Sequence, residues 1–166
     1  MKKTLSKIIL VLALFFTFLC NNANALVNTT SDINAKINQL QTIYNQDLFA
    51  FINKTELVGY RLSNFNMHAS QYKNIITNSI ERLNNIINQI NTLNSSSELS
   101  DTEKQNQIKN LYHDADAIIY DIDNQTVNYT YLVRDTMPSV SYQRFIKRFI
   151  SFYNSVNLTG NEISVH

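Results

Sequence analysis

On a helix, Asp116 and Asp123 stand two turns apart on one side, as do Asp114 and Asp121, and His113 lies one turn from Asp116. Carboxylates and an imidazole at that spacing are donors that a hard cation or zinc accepts, so His113, Asp116 and Asp123 are the metal candidates of the chain. The surrounding pattern weakens them. Apolar spacing places Ala115, Ile118 and Ile122 in a core, which sends His113, Asp116 and Asp123 outward as a solvated acidic face. The glycine and terminal glutamate of an EF-hand loop are missing, and so are the paired Glu-x-x-His motifs of di-iron bundles. Met67-His68 offers a haem-type ligand pair, but no Cys-x-x-Cys-His is present and the register places both His68 and His113 outside the seam. The expectation is no metal and no cofactor.

A second group sits near the C-terminus. Tyr142, Phe145, Phe149, Phe152 and Tyr153 line one helix face, with Arg144, Lys147 and Arg148 beside it. An aromatic-basic helix of this kind can lie on an anionic membrane or an acidic partner. The competing expectation is that the aromatics cap a helical core and the cations form its wet face. Tyr142, Arg144, Phe145, Lys147, Arg148, Phe149 and Phe152 are the interaction candidates.

Enzymatic signatures are missing. The whole chain holds two glycines, one proline and one cysteine, too few for a glycine-rich phosphate loop. Neither Gly-x-Ser-x-Gly nor His-Glu-x-x-His occurs, and one of the three histidines is the terminal residue. No catalytic residue is assigned, and the chain is expected not to be an enzyme.

The elements that carry these residues are read from periodicity. One line runs from Ile33 through Ile37, Leu40 and Tyr44 to Leu93 in steps of three and four, broken chiefly at Asp47 and Thr55. A second runs Ile108, Leu111, Ala115, Ile118, Ile122, Gln125, Tyr129, Leu132, Thr136, and a third runs Tyr142, Phe145, Phe149, Phe152, Val156. This spacing keeps one helix face against a partner helix. The phase slips between Asp47 and Thr55, and Gly59 follows. Asn94 to Leu99 is a polar turn, and Ser100-Asp101-Thr102-Glu103 is a capping box that opens the next helix. Pro138 ends that helix, because proline lacks an amide donor and disfavours helical geometry in its predecessor.

The fold class is therefore all-α. The favoured architecture is an antiparallel four-helix bundle built from a long kinked helical hairpin, with helices about 31–55, 56–94, 101–137 and 139–157. Ile43, Leu48, Ile75, Ile80, Ile87, Ile119 and Val133 flank the seam and make it wider than two helices need. The alternative is an extended two-arm coiled-coil hairpin. Residues 26–160 form one domain, and 161–166 form a frayed tail.

The first 25 residues read as a secretory signal. Lys2, Lys3 and Lys7 precede the apolar run Ile8–Leu19, and Ala23-Asn24-Ala25 supplies small residues for cleavage before Leu26. That run is too short to cross a bilayer, which takes about 20 residues in a helix. Cleavage also removes Cys20, leaving no thiol for a disulfide or metal. Of the 14 basic residues, three leave with the signal, so 11 face 13 acidic ones and a nucleic-acid partner is disfavoured. The style of the signal suits a bacterial envelope, with the mature protein in the periplasm or outside the cell. Asparagine occurs 24 times and marks six Asn-x-Ser/Thr sequons, close to the chance expectation.

The functional expectation is an exported helical interaction, adaptor or structural protein whose partner is another protein or a second copy. A membrane-surface protein acting through the last helix is the alternative, and a metal- or haem-holding bundle is the second.

Overall fold

A computed structural model describes residues 27–45 and 59–156. Of these residues 89% are helical and none forms a strand. Four helices account for the fold: α1 (Thr30–Asn45), α2 (Tyr60–Ser95), α3 (Asp101–Arg134) and α4 (Ser139–Val156). The expected signal, the phase slip from Asp47 to Thr55 and the tail from 157 lie outside the described residues.

Several of the described boundaries have a local cause. The Thr29 hydroxyl accepts from the Asp32 amide at 3.2 Å and donates to the Asp32 carboxylate at 2.9 Å, so the two residues cap α1 reciprocally. The second helix opens at Tyr60, later than the expected 56. Gly59 precedes it at φ 57° and ψ −129°, a conformation that side-chain-bearing residues rarely adopt. The capping box at Ser100 and Glu103 forms as expected: Ser100 Oγ accepts from the Glu103 amide, and Glu103 accepts from the Ser100 amide at 3.0 Å. At the far end α3 stops at Arg134 rather than about 137. The Pro138 carbonyl then accepts from the Tyr142 amide at 2.9 Å as α4 begins.

All four helices contribute to one apolar core, and their packing is consistent with a bundle. Ile33, Ile37, Leu40 and Ile43 of α1 meet Phe65, Tyr72, Ile76 and Leu83 of α2, Ile118, Ile122 and Tyr129 of α3, and Phe145 and Phe149 of α4. A two-arm coiled coil has no use for the first and last groups. The core follows the expected lines through α2, with one correction on α3. After Ile122 the buried line passes through Thr126, Tyr129 and Val133, not Gln125 and Leu132; Leu132 is 49% exposed. A step of four where three was expected rotates the seam by about one residue, or 100°. On α1 the buried position is likewise Ile43, while Tyr44 is exposed.

Candidate functional site: a polar layer joining the four helices

One group of interior polar side chains sits where the seam turns. Thr126 Oγ1 donates to the Ile122 carbonyl at 2.8 Å, which uses its one hydrogen. The Tyr72 hydroxyl, 2.7 Å from the same oxygen, must then be the donor of that pair. Both residues are buried, so the bond ties α2 to α3 inside the core. One turn earlier on α3, Asp123 accepts a hydrogen bond from the Tyr153 hydroxyl of α4. Two turns before Asp123, the Asp116 carboxylate accepts from the Val27 amide at 2.8 Å, just ahead of α1.

Lys36 of α1 faces this layer. Its half-buried position lowers the ammonium pKa, while Asp123, Asp32 and Asp116 each pull it back up. Burial raises the Tyr72, Tyr129 and Tyr153 hydroxyls above the ordinary phenol range, and the Asp123 carboxylate adds to the rise at Tyr153. These phenols are therefore neutral at any physiological pH. The arrangement holds helices together.

Around the polar layer lies an aromatic cluster. Phe145 and Phe149 stack with centroids 5.4 Å apart, and Phe149 meets Tyr129 edge-on at 5.5 Å. Phe65 meets Phe145 edge-on at 5.8 Å. Such offset and edge contacts are the favoured geometries for rings with negative faces and positive edges.

The candidates read from the sequence distribute as follows. The one-sidedness of Asp116 and Asp123 is real, but their expected outward direction is corrected. Both are half-buried and accept from the Val27 amide and the Tyr153 hydroxyl. His113 is exposed and takes no part in these bonds. Among the described residues, no group of three or more His, Cys, Asp and Glu is arranged to hold a metal ion. His68 is half-buried, with Nδ1 3.4 Å from Gln71 Oε1, and Met67 is exposed.

On α4 the two halves of the aromatic-basic group separate. Phe145 and Phe149 are wholly buried, Tyr142 and Phe152 are half-buried, and Arg144, Lys147 and Arg148 are exposed. The inward alternative for the aromatics is thus the one the packing adopts. Among the described residues, no helix is long and apolar enough to cross a membrane.

Sequence reasoning missed Val27, Lys36, Thr126 and Tyr153 as partners in the polar layer. Nothing local signals them, because the groups they meet lie far off in the sequence. It also passed over Tyr120, Val127 and Tyr131, which stand 61%, 36% and 60% exposed on the outer side of α3. Their spacing of seven and four was a visible signal, a second apolar line offset from the core seam. A separate open groove between α2 and α3 near the turn is lined by Asn85, Asn88, Gln89, Thr92, Gln107 and Asn110, remote from the tyrosine layer.

No protein-family model, curated protein or solved structure matches this chain.

Proposed function

We propose that the chain is an exported, non-catalytic helical module that binds another macromolecule, most directly a protein, in the periplasm or outside the cell. The observation that carries this reading is the exposed line Tyr120, Val127 and Tyr131 on α3. Tyrosines presented in a row on an outer helix face are the side chains that anchor protein interfaces. By contrast, the interior donors and acceptors named above join one helix to another. Export is supported by the composition of residues 1–25.

The reading includes a chain path. Residues 60–95 and 101–134 form the arms of an antiparallel hairpin, with the first and last helices folded back along it. Supporting this, Asn88 and Gln89 share a groove with Gln107 and Asn110 near the turn, while farther along the arms Tyr72 stacks on Tyr129.

The test is capture of partners from the native envelope by the mature chain and by its Tyr120→Ser/Tyr131→Ser variant. A specific partner retained by the first and lost by the second is expected. Repeated absence of any partner, or capture indifferent to the substitutions, overturns the reading.

A second reading is favoured by one observation: α4 carries Arg144, Lys147 and Arg148 on its exposed side and no acidic residue. With its phenylalanines inward, this helix would meet an anionic membrane by charge alone. Binding to anionic vesicles that vanishes in high salt, and in an Arg144→Gln/Lys147→Gln/Arg148→Gln variant, is the expected signature. Salt-independent binding contradicts it.

A further inference from the structure

The bond from the Val27 amide to Asp116 Oδ1 joins positions 89 residues apart. The Val27 side chain is itself buried, at 3% exposure. The chain is thus pinned to α3 two residues beyond Ala25, where the sequence reads as a cleavage site. We propose that Asp116 is the receptor for the mature N-terminus: removal of residues 1–25 leaves an α-ammonium on Leu26 that pairs with this carboxylate and locks α1 onto α3. The inference rests on the export reading above.

Covalent geometry brings the charge close. Successive backbone nitrogens are separated by at most about 4 Å, so a cation created at Leu26 falls within a few ångströms of the group that holds Val27. A carboxylate has lone pairs enough to accept from both an amide and an ammonium. Before cleavage the same nitrogen is a neutral amide and supplies no charge.

The order of events follows from access. A peptidase must reach the residues around its cut, and a docked Val27 is buried at 3% exposure with its amide held by Asp116. Cleavage therefore precedes docking, and the lock closes only on processed protein.

The test is a thermal-unfolding cycle on the chain from Leu26 to His166. It is compared with the same chain carrying Asn24-Ala25 ahead of Leu26, each with Asp116 and with Asp116→Asn. The two-residue extension is expected to lower the Tm by about 3 °C when Asp116 is present, and to leave it unchanged in Asp116→Asn. An extension that is harmless in both, or equally harmful in both, overturns the lock. If Asp116→Asn does not fold, NMR titration of the Leu26 α-amino group in the unsubstituted chain decides. A pKa above the usual range of about 7.7–8.0 supports the pairing, and one within or below that range overturns it. N-terminal sequencing of the exported protein tests the underlying reading separately. A first residue other than Leu26 removes that reading, whereas Leu26 with no effect in the cycle removes the lock alone.

Discussion

Tyr72 and Tyr129 stack with ring centroids 4.5 Å apart and planes 7° from parallel, yet their hydroxyls differ. Tyr72 donates to Thr126 at 2.7 Å, whereas the buried Tyr129 hydroxyl has no hydrogen-bond partner among the described residues. The pair shares its packing and separates the value of a satisfied phenol from the cost of an unsatisfied one.

Two substitutions exploit that difference. Thr126→Val keeps the shape but strands the Tyr72 hydroxyl, and is expected to destabilise by about 1–3 kcal/mol. Tyr129→Phe removes a group that is already unpaired and keeps the stack, so it should be neutral or stabilising. Denaturant unfolding of both variants measures the contrast, and equal losses would refute the assignment.

Phe149 is a core residue despite lying on a helix with three cations. Phe149→Ala should destabilise by about 3–5 kcal/mol, and Phe149→Asp should prevent folding because it buries an unpaired charge. Arg144→Gln and Lys147→Gln, at exposed positions, should change stability by less than about 0.5 kcal/mol. Circular-dichroism melts distinguish the two groups.

Among the described residues, a methyl group at Gly59 would meet no atom within 4 Å, so its substitution tests chiefly the backbone conformation. At φ 57° and ψ −129°, Gly59→Ala is expected to cost about 1–2 kcal/mol. A variant as stable as the parent would show that α2 can open by another route.

The dependence on pH has two sides. Burial raises the folded pKa values of Tyr72, Tyr129 and Tyr153 above the ordinary 10.0. Their neutral forms favour the fold fully below pH 10, and that stability is lost as pH rises beyond it. These phenols should ionise only with cooperative unfolding, seen as coincident ultraviolet-absorbance and circular-dichroism transitions. On the acid side, hydrogen bonds from Ser100 hold Glu103 below its ordinary 4.5, and those from Thr29 and Asn28 hold Asp32 below 3.8. Their capping contribution is present above those values and fades as pH falls through the folded pKa values. NMR titration of the two carboxylates should give midpoints below the ordinary ones.

Much of the fold was legible from local chemistry. Periodicity identified the helical stretches, Ser100 and Glu103 marked a start, Pro138 marked the break between α3 and α4, and the residues flanking the seam implied more than two helices. The candidate site was less legible. Asp116 and Asp123 stood out as a pair on one face, but the groups they hold come from Val27 and Tyr153. No spacing rule connects residues that far apart.

What the sequence determined by itself is therefore what a single helix dictates: which segments are helical, how their described ends are capped, and which side of each is broadly apolar. These depend on neighbours within a few positions. Only tertiary packing decided that Thr126 and Val133 replace Gln125 and Leu132 in the seam, that Phe145 and Phe149 turn inward, and that two aspartates receive donors from distant parts of the chain. The physical reason is rotational. One residue of register swings a side chain by about 100°, and which side is buried depends on helices brought alongside from elsewhere in the chain.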